Sequence, residues 1–113
     1  MSYYTDPTDK QYTEVYREQT PAMLKAFLDF DSAVFAPEGT ELSLKVRELI
    51  AVAVALTTQC SYCIEAHTKD AVTAGATDAE IAEAAWVATA IRAGGGFAHG
   101  RMAFKFASHE HAA

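Results

Sequence analysis

The segment LIAVAVAL, from Leu49 to Leu56, presents no polar residue on any side of a helix. Ser43 lies upstream as a candidate N-cap, and a helix that begins there would run to about Thr58. A helix that is apolar all round is stable only when other elements cover it, so we expect a buried central helix. This need for cover constrains the fold more than any other feature of the chain.

Apolar residues elsewhere also recur at helical spacing, and no convincing stretch alternates with the period of a strand. Thr20 and Pro21 predict a helix start, because a hydroxyl cap is followed by proline at the first helical position. The residues PEG at 37–39 end that helix. The helix after the central one is expected to cover roughly residues 61–74 and to end at Gly75, a favoured left-handed position.

A capping box opens the next predicted helix, because Thr77 and Glu80 in TDAE can each bond the backbone of the other. The three glycines at 94–96 are expected to break or kink this helix. A final helix would then hold three phenylalanines: Phe97, Phe104 and Phe106. Together these signals predict an all-α domain of five or six helices.

The 113 residues are expected to form one domain, with a polar lead segment at 1–19 and a frayed tail at 108–113. Half of the residues are hydrophobic and only 21% are charged, which is a high apolar content for a domain of this size. Some of this apolar content should therefore meet another subunit. The aromatic residues expected in the core or at such an interface are Trp86, Phe97, Phe104 and Phe106.

Charge and targeting signals exclude several classes of function. The net charge is −6 and the nine basic residues form no cluster, so nucleic acid is not an expected partner. The start, MSYYTDPTDK, is not a signal peptide, and the longest apolar run is about ten residues, too short to cross a membrane. We therefore expect a cytoplasmic protein.

The segment CSYCIEAH, residues 60–67, contains both cysteines of the chain and one of its four histidines. It could form a zinc site, a structural disulfide or a pair of thiols that is oxidised and reduced. In a reducing compartment, two cysteines spaced in this way are more often catalytic or metal-binding than a permanent crosslink.

A helix that begins near Cys60 would place both thiols in its first turn, where unpaired N–H groups and the helix dipole favour a thiolate. Cys63 and His67 are then i and i+4, with Cβ atoms about 5–6 Å apart on one face. Cys60 lies on the same face. A nucleophilic thiol, a base and a second thiol that can close a disulfide are thus present together.

Glu48 is the candidate third group that would orient His67, since it opens an apolar stretch in which an unpaired charge is costly. The alternative is an ordinary surface ion pair between Glu48 and Lys45 or Arg47. Spacing along the chain does not decide between the two.

Zinc has four candidate ligands in Cys60, Cys63, His67 and Glu48. A structural zinc site usually draws on a second cysteine or histidine cluster, and the other histidines have no such spacing: His99, His109 and His111. We therefore expect no metal. His99, after the glycines, is a candidate for lining the site, and Tyr62 is a candidate for shaping the pocket entrance.

Taken together, these residues give the motif E-x11-C-x2-C-x3-H, from Glu48 through Cys60 and Cys63 to His67. The motif resembles that of the AhpD-like alkylhydroperoxidases, the redox branch of the carboxymuconolactone decarboxylase-like superfamily. The resemblance extends from about Leu42 to Gly100. The segments MSYY and GGGFAHG further resemble a subgroup called arsenosugar-biosynthesis-associated peroxidase-like proteins.

The resemblance implies an all-helical fold that assembles as trimers or hexamers and needs no metal or organic cofactor. It also implies the chemistry: Cys63 would be the peroxidatic thiol, deprotonated by His67 through a water, with Glu48 holding the histidine. Peroxide would convert Cys63 to a sulfenic acid, which Cys60 resolves as a disulfide. An external dithiol or a protein reductant would then restore both thiols.

One position departs from the family pattern, because AhpD has a histidine where this chain has Tyr62. A phenol with a pKa of about 10 is a poor base at neutral pH, so we expect weaker or differently directed peroxidase activity. The founding decarboxylases typically lack the cysteine pair, which argues against their reaction here. The alternative from another class is a non-catalytic oligomer that senses redox state or binds arsenite through Cys60 and Cys63.

Overall fold

The computed structural model describes residues 5–113, and within that range the secondary structure is helical throughout, which confirms the predicted all-α fold. A short 3₁₀ helix at Pro7–Tyr12 precedes five α-helices. The α-helices are α1 (Thr13–Gln19), α2 (Pro21–Val34), α3 (Leu44–Thr58), α4 (Ser61–Thr73) and α5 (Asp78–Ala112).

Most of the predicted helix ends are confirmed by their capping bonds. The Ser43 hydroxyl accepts the Val46 N–H at 3.2 Å at the start of α3. Thr77 and Glu80 form the predicted capping box at the start of α5. Gly75, just beyond α4, has a φ of 100°, which a residue with a side chain rarely adopts.

Thr20 does not act as the predicted cap. Pro21 does begin α2, but the Thr20 hydroxyl donates to the Tyr16 carbonyl at 3.0 Å and so closes the end of α1. The junction is so short that one residue serves both helices, and the carbonyl of the preceding turn is the nearer partner for its side chain.

Helix α3 is central, as predicted, because α4 and α5 both pack against it. Val52 and Ala55 on its covered side are each only 2% exposed. On its other side Ile50 and Val54 remain 47% and 53% exposed. The described chain therefore covers α3 on one side only, which is less than a helix apolar on all sides requires.

The prediction of a break at the three glycines is wrong, since α5 continues through 94–96 and reaches Ala112. Glycine weakens a helix by about 1 kcal/mol relative to alanine, but it keeps the N–H that proline lacks. The helix also extends through most of 108–113, in contrast to the predicted frayed tail. At about 52 Å, α5 is more than twice as long as α3, so its C-terminal part extends past α3.

The described chain is open rather than compact. Its radius of gyration is 19.1 Å, whereas a compact domain of this length has a value of about 13 Å. Many large apolar side chains are exposed along α2 and α5, including Met23, Phe27, Phe30, Trp86, Ile91, Phe97 and Phe104. Among residues 5–113, none of the helices has both the length and the apolar character to cross a membrane.

Replacing Gly94 by Ala is expected to raise the free energy of unfolding by about 0.5–1 kcal/mol. A methyl group added there meets nothing within 4 Å in the chain itself. Chemical denaturation followed by circular dichroism measures the change, with Gly39→Ala as the contrast, because Gly39 has a φ of +79° and should lose stability. Destabilisation by Gly94→Ala would show that another surface packs closely on this glycine.

Candidate active site

The two cysteines lie together at the start of α4. Cys60 is the N-cap residue, and its sulfur accepts the backbone N–H of Cys63 at 3.2 Å. A disulfide joins Cys60 and Cys63, whose Cα atoms are 5.2 Å apart. The two sulfurs are therefore within bonding range of each other at the N-terminus of a helix, where backbone N–H groups favour negative charge on sulfur.

Helix α4 folds back against α3 because Gln59, between them, adopts the left-handed conformation, with a φ of 58°. This reversal brings His67 on α4 against Glu48 on α3. The Nδ1 atom of His67 lies 2.8 Å from Oε2 of Glu48. The carboxylate is only 3% exposed, so the imidazole provides the partner that a buried charge requires.

The alternative partners of Glu48 are engaged elsewhere. Lys45 forms an ion pair with Glu80 at 2.8 Å. Arg47 donates its guanidinium hydrogens to three backbone carbonyls, those of Val34 and Ala36 at 2.6 Å each and that of Leu42 at 3.1 Å. The structure thus assigns Glu48 to His67.

Phe35 contacts the face of the His67 ring, with centroids 4.7 Å apart and planes at 30°. It is the C-cap residue that follows α2, and the carbonyls that Arg47 binds belong to its two neighbours in sequence, Val34 and Ala36. Phe35 was not a candidate from sequence. Nothing in the spacing along the chain connects a residue at a helix end with a histidine on a helix 32 positions later.

A cavity of about 330 Å³ opens beside Cys63 and His67. Its wall is formed almost entirely by apolar groups, and the lining residues besides these two are Val34, Phe35, Arg47, Ile50, Ala51, Val54, Ala55 and Thr58. Apolar walls with a few polar groups at one point are typical of small-molecule sites. The thiol position and the imidazole are the groups on that wall suited to acid–base and nucleophilic chemistry.

The two other candidates from sequence lie away from this cavity. Tyr62 points to the opposite side of α4, where its hydroxyl donates to Asp9 at 2.8 Å and helps to line a second cavity of about 850 Å³. The hydrogen bond to the Asp9 carboxylate raises the pKa of Tyr62, because the bond favours the neutral phenol. His99 is exposed on α5 and is outside the lining of both cavities.

Asp70 is a further neighbour of the site that the sequence did not reveal, although it is one turn beyond His67 on α4. Ligand atoms of Glu48, His67 and Asp70 all lie within 4.8 Å of one another. The sequence offered Cys60 and Cys63 as two of four zinc ligands. Zinc binds cysteine as a thiolate, and in this structure the two sulfurs are joined as a disulfide. In this oxidised form, that four-residue ligand set is therefore not available.

Comparison with known proteins places the chain in a family. The model of the carboxymuconolactone decarboxylase family matches residues 21–106, and the chain belongs to that family, as the motif predicted. A protein of Paracoccus denitrificans described as "Uncharacterized protein 4 in cox locus" is 50% identical over 78 residues, which are 69% of this chain and 68% of that protein.

Two further similarities agree with this assignment. A Haemophilus influenzae protein is 44% identical over 68 residues, which cover 60% of this chain and 58% of its own length. A crystal structure of a Methanobacterium thermoautotrophicum protein superimposes with a TM-score of 0.68 at 34% identity, covering 77% of this chain and 98% of that one. These similarities support the family and the fold, and neither name states an activity.

Replacing Asp9 by Asn is expected to lower the pKa of Tyr62 toward its ordinary value of 10.0, since an amide oxygen accepts the phenol hydrogen less strongly than a carboxylate and does not repel a phenolate. Absorbance titration of tyrosinate measures the change, and Tyr62→Phe identifies its contribution. Folding raises the pKa of Tyr62, so the Tyr62–Asp9 hydrogen bond stabilises the folded chain fully at pH values below the ordinary pKa of tyrosine. That stabilisation is lost as the pH rises through the raised pKa of Tyr62 in the folded chain. An unchanged Tyr62 titration in Asp9→Asn would contradict this assignment.

Proposed function

We propose that this chain is an AhpD-like thiol peroxidase or disulfide reductase that needs no metal or organic cofactor. One observation carries the proposal: the cysteine pair opens a helix whose next turn presents His67, bonded to a buried Glu48. The family to which the chain belongs includes both decarboxylases and alkylhydroperoxidases. The cysteine pair favours the redox members, because a decarboxylation has no use for two adjacent thiols.

In the reduced form, Cys63 is the nucleophile and His67 is its base. The Nδ1 atom of His67 is held by Glu48, which leaves Nε2 to take the thiol proton through a water. Glu48 fixes the tautomer and stabilises the imidazolium that results, as a carboxylate does for the base in other nucleophilic sites. The thiolate that forms is further favoured by the N-terminus of α4.

The first step transfers one oxygen atom. The Cys63 thiolate attacks the outer oxygen of a hydroperoxide, the O–O bond breaks, and the alkoxide leaves with the proton that His67 had taken from the thiol. The products are an alcohol and a sulfenic acid on Cys63. The apolar cavity beside Cys63 would hold the organic part of the peroxide.

The second step closes the observed disulfide. The Cys60 thiol attacks the Cys63 sulfur, the S–O bond breaks, and the hydroxyl leaves as water with the Cys60 proton. An external dithiol or a protein reductant then exchanges with this disulfide and is itself oxidised, which restores both thiols. As a disulfide reductase, the chain would use the same pair to transfer electrons from one dithiol to another disulfide.

We also propose that the working form is a homo-oligomer, a trimer or a hexamer. The observations in support are the uncovered side of α3 and the exposed aromatic residues of α2 and α5. Apolar surface of this extent is stable in water when another subunit covers it. The cavity beside Cys63 includes part of that uncovered side, Ile50 and Val54.

Peroxide consumption with dithiothreitol or dihydrolipoamide as reductant tests the reaction. Cys63→Ser should reduce the rate to background, and His67→Gln should reduce it by about 10²–10⁴-fold through loss of the base. Cys60→Ser should accumulate the sulfenic acid, which dimedone labelling and mass spectrometry detect. His109→Gln, on the exposed end of α5, is the matched control.

Wild-type rates no higher than those of Cys63→Ser would contradict the peroxidase proposal. If arsenite protected both thiols from alkylation while peroxide was not consumed, the binding alternative would replace it. Both measurements use the reduced protein, so a single preparation distinguishes the two functions.

Light scattering of the full chain at micromolar concentration tests the assembly. We expect a mass above that of a dimer, because exposed apolar faces occur on helices at both ends of the chain. Phe104→Glu, which puts a charge on one such face, should reduce the assembled mass. A wild-type mass equal to that of one chain would contradict the proposal.

A further inference from the structure

We propose that Phe35 is a positioning residue that sets the plane of the His67 ring, and that Arg47 holds Phe35 in place. The inference rests on the proposed function, in which His67 is the base. It adds Phe35 and Arg47 to the residues of the motif, and both act through His67 without reacting themselves.

The Glu48 bond alone does not fix the imidazole. It restrains one ring nitrogen, at 2.8 Å, but the ring can still tilt about that contact, because the χ2 angle of histidine has a broad energy minimum. Phe35 covers one face of the same ring, 4.7 Å away between centroids. A contact on the edge and a contact on the face together determine where Nε2 points.

Arg47 fixes the backbone on both sides of Phe35. Its Nη1 and Nη2 atoms donate to the carbonyls of Val34 and Ala36, and its Nε atom donates to Leu42 at the far end of the same loop. The planar guanidinium can make all three bonds at once, which a lysine ammonium on a flexible stem does not reproduce. The backbone that carries Phe35 cannot move away from His67 unless these bonds break.

The two supports of the imidazole come from adjacent residues of α3. Arg47 acts on the face of the ring through Phe35, and Glu48 binds its edge directly. One turn of α3 therefore positions His67 in two directions. Three of the guanidinium N–H groups of Arg47 are therefore engaged by backbone carbonyls, although the side chain also forms part of the cavity wall.

Kinetics separate positioning from simple filling of the cavity wall. Leucine at position 35 keeps an apolar wall but lacks a planar face, whereas tyrosine keeps the face. We expect Phe35→Leu to lower kcat for cumene hydroperoxide about tenfold while KM changes by less than about threefold. Phe35→Tyr should retain wild-type kcat, and Arg47→Lys should resemble Phe35→Leu. Phe30→Leu, an exposed phenylalanine of α2 outside the cavity, is the matched control.

Proton NMR of His67 gives a readout that does not depend on turnover. The Phe35 ring current should shift the carbon-bound ring protons of His67 in the wild type and in Phe35→Tyr, and the shift should be lost in Phe35→Leu. Circular dichroism establishes that each variant is folded. If the wild type reduced no peroxide, the proposed function would fail, and the NMR comparison would still decide the placement of His67.

Two results would overturn the inference. Phe35→Leu with unchanged kcat and unchanged His67 resonances would show that the stack does not position the ring. Equal loss of kcat in Phe35→Leu and Phe35→Tyr would show that only the side-chain shape at the wall matters.

Discussion

The hydrogen bond between the buried Glu48 carboxylate and His67 is the interaction on which the arrangement of the site depends. A carboxylate that is 3% exposed is tolerated only with a partner, and the nearest cations of its own helix are directed elsewhere. The imidazole that meets this need comes from α4, 19 residues along the chain. The same contact therefore joins α4 to α3 and restrains one edge of the imidazole beside Cys63.

The chemistry of the site is divided between two kinds of interaction. The sulfur pair is local: Cys60 caps the helix, Cys63 lies in its first turn, and His67 follows one turn later. The supports of the imidazole are not local, since they come from α3 and from the end of α2. The reactive groups are thus supplied by one helix, while their orientation depends on how α4 packs on α3 and on where the segment that follows α2 lies.

The distribution of apolar surface follows from the same architecture. The buried hydrophobic residues of the described chain are small and few: Val52, Ala55, Ala71 and Ala88. The large ones are exposed along α2, α3 and α5, and α5 continues well past the helix it packs on. An apolar composition therefore does not produce a large core within one chain, because long helices on an open frame have few neighbours of their own to cover them.

Spacing and short-range chemistry in the sequence determined the helices, most of their ends and the relation of Cys60, Cys63 and His67. Those features depend on residues within about one or two turns of each other. The same local rules did not predict that α5 continues through its three glycines. Each glycine disfavours a helix by only about 1 kcal/mol relative to alanine, and the rest of the helix outweighs that cost. The spacing left the partner of Glu48 open, although the family resemblance implied His67, and the tertiary structure decided for that pair. Only the tertiary structure showed that Phe35 stacks on His67 and that Tyr62 turns to Asp9. The physical reason is that these contacts depend on the angles at which helices cross, and no spacing along one chain specifies a crossing angle.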